Sequence, residues 1–374
     1  MTIAVVYGGR SGEHEVSLVS GTSVARSIDA GRHSVVLIGI TKDGRWFLQS
    51  EMELERIRKD PKATLKVREN PDMAVSVVPG GGTDAFQAGG KTVRIDVIFP
   101  VLHGTYSEDG TIQGLFEMAD IPYVGCGVMA SAITMDKEKT KQLWEQAGLA
   151  VVPYVCIRRC ELNDSRVYDS LVGKAVDTLG FPLFVKPCCA GSSVGTSKVT
   201  TAKQLSVALM EAFLWDDKIL IEKAVNAREI ECSVTGNSIS AAADSETVRA
   251  YIPGEIIPSH EFYDYDAKYT DPNGAALKIP ADLSPDGLEQ IRKTAVAAYR
   301  AVDAAGLSRV DFLVDKNTGF QYLNEINSIP GFTSISMFPK MCDAGGLSFT
   351  PLTELLIDEA VRRYRARAAL QTSR

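Results

Sequence analysis

The sequence predicts an α/β arrangement in the N-terminal part of the chain that passes into an α+β arrangement, with a mainly antiparallel sheet, towards its C-terminal end. Three observations carry this. Apolar strand-like runs at 2–7, 34–40 and 93–99 are separated by helical and polar stretches, the alternation of a parallel sheet covered by helices. From Arg228 short strand-like runs alternate with loops until a helical periodicity at about 285–305. Finally, Arg309-Val310-Asp311-Phe312 and Tyr322-Leu323-Asn324-Glu325-Ile326-Asn327 read as two strands joined by the turn-forming Asp315-Lys316-Asn317-Thr318-Gly319. A chain of 374 residues calls for more than one domain, and the expected divisions are 1–134, 135–227 and 228–374.

Composition narrows the class. At 45% hydrophobic and 23% charged residues the chain is an ordinary globular one, able to bury a large core without staples. A net charge of −7 argues against a nucleic-acid partner, which demands a basic face. The seven cysteines match no zinc spacing, and the adjacent Cys188 and Cys189 are too constrained for an ordinary disulfide. All seven read as reduced thiols of a cytoplasmic protein. The N-terminal run enters a strand directly, without the charged segment and cleavage site of a signal peptide. No apolar run approaches the ~20 residues of a membrane span.

Taken in order, the first strand at 2–7 runs into Gly8-Gly9-Arg10-Ser11-Gly12 and then a helix at 16–28. That loop lacks the spacing of a dinucleotide fingerprint. Glu13, His14 and Glu15 crowd the helix start, either to complement its dipole or to place a carboxylate for a substrate ammonium. The strand near 93–99 leads into His103-Gly104-Thr105-Tyr106-Ser107-Glu108-Asp109-Gly110. Ligands of open α/β sheets sit at carboxyl ends of strands, so His103 and Glu108 are candidates for substrate contact, against a plain loop in which Asp109 caps the next helix. A charged amphipathic helix covers 136–147.

Strand-like Gly180-Phe181-Pro182-Leu183-Phe184-Val185-Lys186-Pro187 is followed by Gly191-Ser192-Ser193-Val194-Gly195. A lysine ending an apolar strand is costly to bury without an anion, and the Gly/Ser loop offers backbone N–H groups that can close over phosphates. The alternative is a solvated lysine and a flexible turn. A short strand comes next at 218–223. The run Glu261-Phe262-Tyr263-Asp264-Tyr265-Asp266-Ala267-Lys268-Tyr269 reads either as a substrate lid or as an aromatic cluster pinning a loop.

The 309–327 hairpin has the strongest chemical content. Residues two apart on a strand share a face, so Arg309 joins Asp311 and Glu325 joins Asn327. Pairing the strands would surround one hard cation with Asp311, Glu325 and Asn327, oxygen donors that suit Mg²⁺ and phosphate chemistry. The plainer reading is the polar face of a surface hairpin. An amphipathic helix at 351–367 ends the chain.

Together these motifs resemble the D-alanine–D-alanine ligases, which have the ATP-grasp fold. The likeness runs over essentially the whole chain. It rests on His103-Gly104-Thr105 with Glu108-Asp109-Gly110, Lys186-Pro187 with Gly191–Gly195, Phe262-Tyr263-Asp264-Tyr265 with Ala267-Lys268-Tyr269, the two strands of the hairpin, and Pro330-Gly331-Phe332-Thr333-Ser334. The resemblance implies a parallel α/β N-terminal domain, a small central domain and a C-terminal domain with a mainly antiparallel sheet. It implies ATP and two Mg²⁺, with Mn²⁺ as a substitute, held by Asp311, Glu325 and Asn327. Lys137, Lys186 and Lys268 would contact phosphates. Glu222 and Lys223 would lie by the adenine, with Val225 in the hinge strand and Glu229 on the ribose. Glu15 would hold the first substrate's ammonium, with His103 near its carboxylate. Ser192 and Tyr269 would join Glu15 in closing the lid. Arg309 and the backbone N–H of Gly331 would stabilise an oxyanion, and Ser336 with the N–H of Met337 would take the second substrate's carboxylate.

The activity that the resemblance implies is ATP-dependent joining of two D-alanines through an acyl phosphate, for peptidoglycan precursors, in a cytoplasmic homodimer with no nucleic-acid or membrane partner. Two departures stand out: Ser107 where Gly is expected, and Cys188-Cys189-Ala190 in place of a more polar stretch. Alternatives are a ligase making a D-Ala–D-Ser or D-Ala–D-lactate product, and a catalytically silent nucleotide-binding regulator.

Overall fold

The structure, a computed structural model, describes residues 1–239, 247–258 and 275–371. The run 261–269 expected as a lid, with Lys268 and Tyr269, lies outside them.

The first region is built on β1 (Thr2–Gly8), α1 (His14–Ser27), β2 (Ser34–Ile40), β3 (Trp46–Leu48) and α2 (Glu51–Lys59), then the short strands β4 (Val75–Val77), β5 (Phe86–Ala88) and β6 (Lys91–Val93), and β7 (Val97–Val101). The main sheet runs β3-β2-β1-β7, with β1 parallel to both β2 and β7. Its strands read as continuous apolar runs because both faces are covered. Ile3, Val5 and Tyr7 face one core, while Ala4 and Val6 face another with Phe116 and Tyr123. The strand expected at 93–99 is two: β6 ends at Val93 in a separate small meander, and β7 starts at Val97. The backbone between them turns so that Asp96 N–H reaches the carbonyl of Thr2 (2.9 Å).

Helices α3 (Thr111–Ala119), α4 (Val128–Met135) and α5 (Lys137–Gln146) lead to the second region. There β8 (Tyr154–Arg158), α6 (Ser165–Leu179), β9 (Leu183–Pro187), β10 (Ser197–Val199), α7 (Ala202–Ala212) and β11 (Lys218–Lys223) form an antiparallel sheet in the order β10-β9-β11-β8. Leu205, Ala208 and Leu209 of α7 and Ala175 and Leu179 of α6 cover it.

The third region holds β12 (Ala227–Asn237), β13 (Arg249–Ala250), β14 (Gly254–Pro258), β15 (Ala275–Lys278), α8 (Pro285–Ala301), β16 (Ala305–Asp315), β17 (Gln321–Asn327), α9 (Met337–Ala344) and α10 (Phe349–Ala368). Its sheet runs β15-β14-β12-β16-β17, with β13 beside β12, and its pairings are antiparallel. Ile291, Ala295, Ala298 and Tyr299 of α8 bury Ile230, Val234, Val310 and Phe312. Trp144 of α5 enters this core and donates to the carbonyl of Ala298 (3.0 Å). No described helix is long and apolar enough to cross a membrane.

The last helix returns to the first sheet. Leu352, Leu356, Ile357 and Ala360 of α10, with Phe332 and Phe338, pack into the core of Ile3, Val5 and Tyr7. Leu356 is fully buried. Leu356→Ala is therefore expected to cost about 2–5 kcal/mol, read as a lower denaturant midpoint, and a loss near zero would show that α10 is not part of that core.

Candidate active site

The site forms where loops at the carboxyl ends of β1 and β7 meet the loop after β9 and the β16–β17 hairpin. The hairpin register sets Asp311 opposite Glu325 and Arg309 opposite Asn327, as the shared-face reading required. On the other side β12 places Glu231 opposite Asp311, so three carboxyl-bearing positions lie in one row. Arg309 offsets their repulsion. It donates from Nε to Asp311 Oδ1 (2.7 Å) and from Nη2 to Oδ2 (2.6 Å), and its Nε lies 3.2 Å from Glu231 Oε1. Burial works against the guanidinium charge, but Asp311 and Glu231 outweigh it and hold Arg309 well above its ordinary pKa. Asn327 Nδ2 donates to Asp311 Oδ2 at 3.0 Å.

A bulge follows Asp311: Phe312 pairs with Leu323, leaving Asn324 without an opposite residue. Lys186 Nζ lies 3.4 Å from the Asn324 carboxamide oxygen. The anion that compensates Lys186 comes from the protein. Its Nζ is 2.6 Å from Glu222 Oε2, while the fully buried Lys141 stands 2.7 Å from Oε1. Burial opposes ionisation of Glu222, yet the two ammonium groups prevail and draw its pKa down to about 2. Lys186 is raised for the same reason, its burial outweighed by Glu222. The solvated-lysine reading therefore falls. Glu222, expected by the adenine, directs both carboxylate oxygens at lysines. Lys223 is exposed beside it, Val225 is half-buried in the link to β12, and Glu229 sits on β12 opposite Leu313.

Lys137 ties the glycine loop to the hairpin. Its Nζ donates to the carbonyl of Ala190 (2.7 Å) and lies 3.8 Å from Glu325 Oε2. Within the loop, Ser192 and Ser193 adopt left-handed backbone angles, φ 49° and 58°, which side-chain-bearing residues rarely take. Ser192 Oγ donates to Glu13 Oε1 at 2.5 Å. The Glu13 carboxylate also presses on the loop backbones: a methyl at Gly104 would stand 2.8 Å from Oε2, and one at Gly191 would stand 3.4 Å away.

This corrects the assignment of Glu15. The helix begins at His14, so Glu13 is the cap residue turned back over the loop, whereas Glu15 is in the first turn and faces outward. Glu15 pairs with Lys42 at 2.5 Å, with side chains 63% and 67% exposed. The carboxylate that meets Ser192 is that of Glu13.

His103 is buried with both ring nitrogens engaged, Nδ1 3.0 Å from the carbonyl of Ile329 and Nε2 3.2 Å from Ser20 Oγ. Glu108 accepts from the N–H of Gly104 (2.9 Å) and of Ile329 (3.2 Å), stapling the His103 loop to the segment that precedes Gly331. Asp109 accepts from the N–H of Thr111 (3.0 Å), though Gly110 occupies the cap position of α3. Ser107 is buried with a negative φ, and the left-handed residue of this loop is Tyr106 (φ 63°). Ser336 occupies the N-cap position of α9, but its hydroxyl turns to Thr333 Oγ1 (2.7 Å) rather than to the helix, and a methyl at Gly331 would meet its Oγ at 3.0 Å. The first turn of α9 leaves backbone N–H groups of Met337 and Phe338 without helical acceptors, since only later residues reach back.

Reading the sequence missed Glu13, Lys141, Glu231 and Asn324. Lys141 was detectable: it lies four residues after Lys137, on the same helix face. Glu231 and Asn324 needed the register of three strands and a bulge, which no local pattern marks.

Comparison with known proteins accounts for this arrangement. Residues 2–126 match the family model described as D-ala D-ala ligase N-terminus, and residues 143–358 match D-ala D-ala ligase C-terminus. The chain belongs to the D-alanine–D-alanine ligase family. It is 54% identical to the D-alanine–D-alanine ligase of Treponema denticola over 100% of both chains. It is 44% identical to that of Heliobacterium modesticaldum over 100% of this chain and 98% of the relative. Among solved structures, the D-alanine-D-alanine ligase from Coxiella burnetii superposes with TM-score 0.81 at 33% identity, covering 98% of this chain and 96% of that one. VanG D-Ala:D-Ser ligase from Enterococcus faecalis gives 0.79 at 33%, covering 97% and 99%. The fold is thus the ATP-grasp fold that the motifs implied.

Glu108 generates a pH prediction. Burial first, and the neighbouring Glu13 charge second, push its pKa up from 4.5 to about 8, against the two N–H donors and Arg309. A carboxyl raised on folding is protonated in both states at low pH. From about 4.5 upward the unfolded chain loses that proton while the folded chain keeps it until about 8, so stability falls across this window as pH rises. Glu108→Gln should flatten that part of the stability–pH curve, measured by urea titrations from pH 4.5 to 8; an unchanged slope would assign the dependence to other groups.

Proposed function

We propose that the chain joins two D-alanine molecules into D-alanyl-D-alanine, forming ADP through an acyl phosphate of the first, for peptidoglycan precursors. The observation that carries this reading is the hairpin face of Arg309, Asp311, Glu325 and Asn327, with Lys137 reaching from Glu325 to the glycine loop at Ala190. Phosphate chemistry needs that combination: cations for the oxygens of ATP and a loop that covers them. The sequence relatives named D-alanine–D-alanine ligase favour D-alanine over D-serine as second substrate.

The donor set fits Mg²⁺, with Mn²⁺ as a substitute. Asp311, Glu325 and Asn327 offer oxygen and neither imidazole nor thiolate. Asn327 donates to Asp311 through Nδ2, so its carboxamide oxygen is the atom that would face a cation. Mg²⁺ held by so few protein groups would draw its remaining ligands from phosphate oxygens and water. Mg²⁺ held there supplies charge neutralisation at the transferring phosphoryl group.

The chain's own residues do the rest. Lys137 and Lys186 receive phosphate oxygens, and Lys186 remains a cation because the Glu222 carboxylate stands against it. Glu13, in the role the resemblance gave to Glu15, holds the ammonium of the first D-alanine and latches Ser192 so that the closed loop excludes water from the acyl phosphate. His103 lies near that substrate's carboxylate, its ring oriented by Ser20 and Ile329. The second D-alanine docks its carboxylate at Ser336 and the N-terminal N–H groups of α9, an anion-binding arrangement. Its amine attacks the acyl carbon, phosphate leaves, and Arg309 with the N–H of Gly331 stabilises the charge on the carbonyl oxygen.

The deciding experiment is ADP release with and without D-alanine, with dipeptide measured in the same reaction. Binding of Mg-ATP without D-alanine-dependent turnover would favour the silent-regulator reading. Glu13→Gln is expected to lower kcat/KM for D-alanine by about ten- to a hundredfold, the loss of one charged hydrogen bond. Glu15→Gln should change it by less than about threefold, as suits an exposed ion pair. The reverse order would restore Glu15 to the site. Glu325→Gln keeps the side-chain volume and removes a ligand charge, so turnover should drop about a hundredfold or more with the fold intact; near-normal rates at limiting Mg²⁺ would remove Glu325 from the metal site.

A further inference from the structure

The glycine loop is gripped at both ends by one short turn. Residues 213–217 connect α7 to β11 on the outer side of the second sheet. At the loop's start, Cys189 N–H donates to Asp216 Oδ2 at 2.6 Å. The other oxygen, Oδ1, accepts from the N–H of Lys218 at 3.2 Å. At the loop's end the Trp215 ring lies flush on Gly195. A methyl there would stand 2.7 Å from Trp215 Cδ1 and 2.9 Å from Pro187 Cγ, and Gly195 has φ +68°. Only glycine meets both conditions. Arg159 in turn fixes the turn, reaching Asp217 and the carbonyls of Phe213 and Asp216.

Trp215 is 62% exposed. The other tryptophans are the fully buried Trp144 and the half-buried Trp46. A large indole left mostly in water is not there for core packing, yet it rests on the final glycine of the loop that carries Ser192. Asp216 likewise uses both carboxylate oxygens to join the loop's first backbone donor to the start of β11.

We infer that Trp215 and Asp216 are positioning residues for the glycine loop: they clamp its two ends so that only the middle, 190–194, moves when it covers a nucleotide. The inference rests on the reading of this loop as a nucleotide lid. The clamp confines motion to the segment that meets Lys137 and Glu13, and a loop freed at either end would close less completely and admit water to the acyl phosphate.

The test uses the full-length chain with Mg-ATP as the probe, its binding followed independently by equilibrium dialysis. Trp215→Phe should keep turnover, the KM for ATP and the ratio of ADP to dipeptide, because its ring still covers Gly195. Trp215→Ala should raise the KM for ATP about tenfold, on the scale of one lost contact of hydrogen-bond strength. It should also raise the ratio of ADP to dipeptide, with the KM for D-alanine unchanged. Asp216→Asn retains one acceptor oxygen for two donors and should move both quantities the same way. Unaltered KM for ATP and product ratio in both Trp215→Ala and Asp216→Asn, or losses in Trp215→Phe equal to those in Trp215→Ala, would each overturn the clamp while leaving the ligase reading intact. If Trp215→Ala does not fold, Asp216→Asn decides. Absence of Mg-ATP binding in dialysis would overturn the nucleotide reading and the clamp with it.

Discussion

The register of β16 against β17 is the constraint on which the site depends. With Asp311 opposite Glu325, four functional side chains share one face, and Glu231 extends the row onto β12. A slip by one residue would send every one of them to the opposite face. That face carries Val310, Phe312 and Ile326 into the core under α8, so the apolar side of the hairpin fixes where its polar side points. Packing of α8 and chemistry at Asp311 are two consequences of one pairing.

Charge is managed along the same surface by pairing. Three carboxylates on adjacent strands would repel without Arg309, which two of them hold protonated against its burial. A second set, Lys141–Glu222–Lys186, keeps a lysine cationic at the end of an apolar strand. Removing one partner from such a set is costly because it leaves an uncompensated charge in a poorly solvated place. These pairs therefore preserve a cationic surface facing the hairpin carboxylates across Lys137.

The three main sheets converge through loops, helices and the contact of Lys186 on β9 with Asn324 on β17, and that is where the site assembles. Glu13 and His103 come from the first region, Ser192 and Lys186 from the second, Arg309 and Ser336 from the third. Glu108, bonded to Gly104 and Ile329, and α10, buried against β1, tie the first region to the third. The second is joined to the first through Ser192 and Glu13, at a loop held in left-handed backbone angles.

By itself the sequence determined what local periodicity can determine: the strand–helix alternation at the N-terminus, the 309–327 hairpin, the face shared by Arg309 and Asp311, and the ordered motifs that name the family. Period-two alternation carries that information directly. It assigned Glu15 to the glycine loop where the structure places Glu13, because the two are alike in composition and only the residue at which the helix begins separates cap from first turn. It left open what compensates Lys186, since Glu222 lies on the neighbouring strand and becomes its partner through antiparallel pairing of β9 with β11. The tertiary structure alone decided these, together with the bulge at Asn324, the grip of Trp215 on Gly195 and the return of α10 to the first core. Each depends on contacts between residues far apart in the chain, and no short-range pattern encodes the geometry that brings them together.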